Sequence, residues 1–111
     1  MKMDVSNVEN GITKVVLTGS MNIQGAWETE PQFNALVKTT DKVVVDLTDV
    51  RFIDSRGMRT LVVTAKSLWE KGGKLVLANP QAEVEHALRT AGIDRVIAIA
   101  PDFSAALALF R

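Results

Sequence analysis

Few side chains in this sequence are equipped for covalent chemistry, and the best placed is Ser55. It stands in Phe52-Ile53-Asp54-Ser55-Arg56-Gly57, where an apolar strand runs out and an amphipathic helix begins. A serine at or beside a helix N-cap sits among backbone amides that lack intrahelical partners, and the macrodipole favours negative charge there. Its hydroxyl can therefore cap the helix, which is the plain reading, or carry a phosphate that the helix end would tolerate. The residues alone leave both open. Arg56 beside it is able to pair with such a phosphate, to meet acidic groups of a partner, or to stand solvated.

The other candidates are weaker. Asp46 ends the apolar run Val43-Val44-Val45, as does the phosphoaccepting aspartate of response-regulator receiver domains. That chemistry needs an acidic pair ending the first strand to hold Mg²⁺, and Met1 to Gly19 supplies none, so Asp46 is expected to cap its strand. His86 is the single histidine and lies off the apolar stripe of its segment, so it reads as a surface residue rather than a base. Without cysteine there is no thiol chemistry, disulfide or cysteine-ligated zinc. Gly72-Gly73 precedes a strand, unlike a phosphate-cradling loop. Trp27 and Trp69 form no stacking platform for bases, Trp69 being assigned to a core stripe.

Thirteen basic residues balance thirteen acidic ones over 111 residues, so no charge footprint points to nucleic acid or an anionic membrane. The first residues lack the apolar stretch of a signal peptide, and no apolar run reaches the ~20 residues that span a bilayer. The expectation is one cytoplasmic domain over 1–111, with no membrane span, metal or cofactor.

Apolar periodicity positions these residues. Met3, Val5 and Val8 suggest a first strand, closed by a tight Asn10-Gly11 hairpin turn. Ile12 to Leu17 suggests a second, stopped at Gly19. Phe33, Leu36 and Val37 fit a helix between Gly25 and Lys38 that Pro31 should start or kink. The β-branched Val43–Val45 run marks a strand buried on both faces. Met58, Leu61, Val62, Ala65, Leu68 and Trp69 follow at helical spacing. Lys74 to Ala78 reads as a strand, Asn79-Pro80 as an N-cap with proline at the first helical position. Val84, Ala87, Leu88 and Ala91 make that helix's buried stripe, with Gly92 just past its end. Val96 to Ile99 reads as the last strand, and Asp102 as the cap of a helix placing Phe103, Ala106, Leu107 and Phe110 inward. The order ββαβαβαβα predicts an α/β fold: a mixed five-stranded sheet, mainly parallel, with about four helices.

Three stretches in this order carry a family resemblance: Val43-Val44-Val45-Asp46-Leu47, Phe52-Ile53-Asp54-Ser55-Arg56-Gly57, and Gly72-Gly73-Lys74-Leu75-Val76-Leu77-Ala78-Asn79-Pro80. From about Ile12 to Leu109 the chain resembles the STAS family, the domain of anti-sigma-factor antagonists and of sulphate-transporter tails. The resemblance implies a non-enzymatic partner switch. Its phosphoacceptor would be Ser55, modified by a GHKL-type serine kinase that doubles as an anti-sigma factor. Only the unphosphorylated form would bind that kinase, with a serine phosphatase as a further partner.

Two departures stand out. The family usually carries Gly-x-Leu-Asp after its second strand, whereas Gly19-Ser20-Met21-Asn22 puts an amide there. Many members have Ser or Thr where this chain has Arg56. The expected partner surface comprises Met21, Asn22 and Ile23, the turn Asp54, Ser55, Arg56 and Gly57, and Arg59, Val63 and Lys66 on the following helix. The competing reading is a non-switching STAS subunit of a transport or lipid-trafficking complex.

Overall fold

A computed structural model describes residues 1–111. Its strands are β1 (Lys2–Asn7), β2 (Thr13–Met21), β3 (Lys42–Ile53), β4 (Lys74–Ala78) and β5 (Ala98–Ala100). The helices are α1 (Ile23–Leu36), α2 (Ser55–Glu70), α3 (Ala82–Thr90) and α4 (Phe103–Ala108). The strands pair in sequence order, β1 antiparallel to β2 and the rest parallel, which is the mixed, mainly parallel sheet expected.

Sequence order together with right-handed crossovers has a consequence for the layers. Each of α1, α2 and α3 links a strand to its next neighbour in one direction, so all three must cover the same face. The core follows that rule. Val43, Val45 and Leu47 of β3 pack on that face with Phe33 of α1, Leu61 and Leu68 of α2, and Val84 and Leu88 of α3. Val44 points the other way, into a smaller cluster with Ile12, Val76 and Ala106 of α4. All three valines are 0% exposed, as a strand buried on both faces requires.

Several boundaries differ from the sequence expectation, each for a local reason. The first connection is longer than a two-residue hairpin: Val8 to Ile12 makes a 3-10 turn with Asn10 and Gly11 both at positive φ. β2 runs through Gly19 to Met21 by means of register shifts against β3. α1 begins at Ile23, well before Pro31, which lies inside it. Pro31 cannot donate to the Trp27 carbonyl, and both residues stand on the exposed side, where water can serve that group. Asn79 does not cap α3; its φ is 55°, its side-chain amide donates to Thr48 Oγ1, and Gln81 takes the cap position. Residues 93–95 form a 3-10 turn, which delays the last strand to Ala98. Ala91, assigned to the stripe of α3, is exposed at its C-cap.

α2 is rotated relative to the stripe read from apolar residues. Its buried set is Gly57, Thr60, Leu61, Thr64, Ala65 and Leu68. Met58 and Val62 fall to the rim, and Trp69 is 43% exposed rather than core. The threonines can be buried because their hydroxyls are satisfied: Thr60 donates to the Arg56 carbonyl and to Glu30, and Thr64 to the Thr60 carbonyl.

Candidate functional site

β2 and β3 outrun the shorter β4 as a two-stranded ribbon, and Met21 pairs with Ile53 at its tip. The next residue on each strand, Asn22 and Asp54, keeps extended backbone and caps a helix. Asn22 Oδ1 accepts from the Gly25 amide at 2.9 Å. Asp54 Oδ1 accepts from the Arg56 and Gly57 amides, at 3.0 Å each. The Asp54 amide donates to the Met21 carbonyl at 3.2 Å, which ties the two cap turns together.

Gly57 completes the junction. A Cβ at this position would collide with the Met21 carbonyl and side chain, so only glycine lets the first turn of α2 lie against the end of β2. Gly57 is therefore buried, and so is the Met21 side chain, at 1% exposure. Both were expected on the partner surface; they are buried beneath the turn instead, and neither presents a side chain to solvent.

Ser55 is the first residue of α2, exposed, and its hydroxyl makes no hydrogen bond within the chain. The capping work falls to Asp54, so the plain reading of Ser55 as the cap is set aside. Ile23 is also exposed, at the start of α1. Arg56 turns towards α1, where Nη1 meets Glu30 Oε1 at 2.7 Å, and the same oxygen accepts from Thr60 at 3.1 Å. Arg59, Val63 and Lys66 are exposed along α2. Arg59 and Val63 line a groove of about 270 Å³ between the two helices, with Glu30, Asn34, Arg56 and Thr64 among its walls.

Two further large apolar side chains near this site are exposed. Trp27, 66% exposed, stands one turn beyond Ile23 on α1, and Phe52 is exposed on the β3 extension. The i, i+4 spacing of Ile23 and Trp27 signals a shared face, but only the burial of the opposite face shows which one meets solvent. Elsewhere, Asp46 accepts from the Thr48 amide and hydroxyl, and His86 is exposed on α3. No three histidine, cysteine, aspartate or glutamate side chains converge to hold a metal ion, and no helix is long and apolar enough to cross a membrane.

A sequence model of the STAS domain matches residues 5–106. The chain is 30% identical over 112 aligned residues to BtrV of Bordetella bronchiseptica, a protein named as an anti-sigma factor antagonist; the match covers 100% of this chain and 96% of that one. A Thermotoga maritima structure, also named as an anti-sigma factor antagonist, superposes with a TM-score of 0.88 at 26% identity, covering 96% of this chain and 92% of the other. The Bacillus cell fate determinant SpoIIAA in its phosphorylated form gives a TM-score of 0.74 over 99% of this chain and 100% of its own. At 14% identity that last likeness is one of fold alone.

Proposed function

The chain belongs to the STAS domain family, and from that premise we propose that it is an anti-sigma-factor antagonist switched at Ser55. In this reading the unphosphorylated chain binds an anti-sigma serine kinase of GHKL type. The kinase transfers the γ-phosphoryl group of ATP to the Ser55 oxygen, the hydroxyl proton leaves, and ADP is released. The phosphorylated chain then dissociates, and a serine phosphatase restores it by hydrolysis.

The observation that carries the reading is the division of labour at the start of α2. Asp54 holds the Arg56 and Gly57 amides, and the Ser55 hydroxyl is exposed and uncommitted. Phosphorylation adds about −1.5 to −2 charges at pH 7. Within the free domain the helix end offsets part of that charge, so the fold survives. A partner surface shaped for a neutral hydroxyl beside the Asp54 carboxylate meets repulsion and desolvation instead, costing several kcal/mol, or about a hundredfold or more in affinity.

The test is to incubate the protein with the kinase and ATP, map the modified residue, and measure affinity before and after. Ser55→Ala should bind and resist labelling, and Ser55→Glu should reproduce the released state only in part. Labelling at another residue, or equal affinity in both states, would remove Ser55 from the mechanism and leave a non-switching STAS subunit.

A further inference from the structure

We infer that Arg59 is the phosphate partner of phosphorylated Ser55, so that modification both adds negative charge and withdraws a cation from the docking face. This rests on the proposed phosphorylation of Ser55. The two residues stand at i and i+4 of α2, the spacing at which helix side chains are neighbours. Direction favours contact as well, because a long helical side chain leans back over the turn N-terminal to its own Cα. For Arg59 that turn begins at Ser55.

Among the cations of α2, the surrounding charges leave Arg59 available next to Ser55. No carboxylate lies within salt-bridge distance of it, although it is exposed. Arg56 is the sequence neighbour of Ser55, but adjacent helical side chains diverge, and its guanidinium is drawn to the α1 seam by Glu30 at 2.7 Å. To reach a phosphate it would abandon an oxygen that also anchors the buried Thr60 hydroxyl. Asp54 stands five residues before Arg59, off the i, i+4 spacing, and no ion pair joins the two. Lys66 lies eleven residues along α2 from Ser55, about 16 Å away at 1.5 Å per residue.

A guanidinium presents a planar fork that matches two phosphate oxygens, so the pair is directional as well as electrostatic. Before phosphorylation the fork is free for an acidic group of the partner, beside the groove between α1 and α2. Afterwards it is folded back one turn, and the partner loses that contact.

The inference can be tested without the kinase, using full-length protein with phosphoserine installed at position 55 during translation. The phosphate is then titrated by ³¹P NMR. The wild-type phosphate is expected to titrate at lower pH than that of Arg59→Gln, with the difference shrinking as salt rises towards about 1 M. Arg59→Lys should recover part of the effect, since a point charge replaces the fork. Arg56→Gln should titrate close to wild type. An Arg59→Gln titration that overlays the wild type, or a larger displacement in Arg56→Gln, would overturn the assignment. A kinase that ignores Ser55 would sink the proposed function while leaving this result standing; an overlaid titration would do the reverse.

Discussion

Asn22 and Asp54 occupy matching positions on adjacent parallel strands, each one residue past the paired Met21 and Ile53, and each caps the helix it begins. The ribbon therefore delivers two helix N-termini side by side, joined by the hydrogen bond from the Asp54 amide to the Met21 carbonyl. Ser55 inherits its position from this arrangement rather than from contacts of its own. That separates the structural role, carried by Asp54, from the chemical one proposed for Ser55, and makes the two testable apart.

Asp54→Ala should cost about 1 kcal/mol of stability, because the Arg56 and Gly57 amides lose their common acceptor. Asp54→Asn keeps an acceptor oxygen of similar capping strength and should lose much less. Urea denaturation of both variants checks this. Equal losses would place the effect of Asp54 in its charge and not in its cap.

Alanine normally stabilises a helix interior relative to glycine by roughly 0.5–1 kcal/mol. At Gly57 the sign should reverse. The new methyl meets the Met21 carbonyl, which belongs to a buried, hydrogen-bonded strand end and has little room to yield. Gly57→Ala should cost about 1–3 kcal/mol, the usual range for overpacking. A variant as stable as wild type would show that the turn at Asp54 can shift to accommodate it.

Much of this architecture was legible in the sequence because local signals and long-range packing agree. Val43–Val45 reads as a two-faced strand and is one; Gly92 and Asp102 mark helix ends that the structure shows in place, Gly92 at positive φ and Asp102 accepting from the Ala105 amide. Sequence was less informative where tertiary partners decide. Apolar periodicity placed Trp69 in the core because it counts Thr60 and Thr64 as polar, whereas α1 and backbone carbonyls satisfy their hydroxyls and bring that side inward. Asn79 looked like a cap, but the Thr48 hydroxyl across the sheet holds it in a left-handed conformation. Around Ser55 the residue types were readable. The burial of Met21 and the Arg56–Glu30 pair depend on how α1 packs on α2, which no local pattern encodes.

Lys66 tests the extent of the proposed docking face. It is exposed, two turns beyond Arg59, and has no ion-pair partner within the chain. Lys66→Glu should leave the thermal midpoint nearly unchanged, as surface substitutions generally do. It should weaken the kinase complex chiefly through a slower, more salt-sensitive association rate. Unaltered association kinetics would confine the interface to the Asp54–Arg59 end of α2.

Asn22→Asp restores the carboxylate that the family pattern carries after the second strand. Aspartate caps as well as asparagine, and a negative charge at the N-terminus of α1 adds roughly 0.3–1 kcal/mol at low ionic strength. The fold should therefore be unharmed or slightly more stable. The larger effect is expected on the switch. Asn22 and Asp54 leave adjacent strands, so the new carboxylate would join Asp54 in facing the phosphate of modified Ser55. One more like charge at surface separations is worth on the order of 1 kcal/mol, about fivefold in affinity. It is felt more strongly in the phosphorylated complex, where the partner excludes water, than in the free phosphorylated chain, and it leaves the neutral hydroxyl largely unaffected. The ratio of unphosphorylated to phosphorylated affinity should widen by that factor at low salt and return towards wild type as salt is raised. Measuring kinase affinity for both forms of both proteins over a salt series decides it. An unchanged ratio would mean that position 22 is electrostatically separate from Ser55 in the complex, and that its amide reflects the needs of the α1 cap alone.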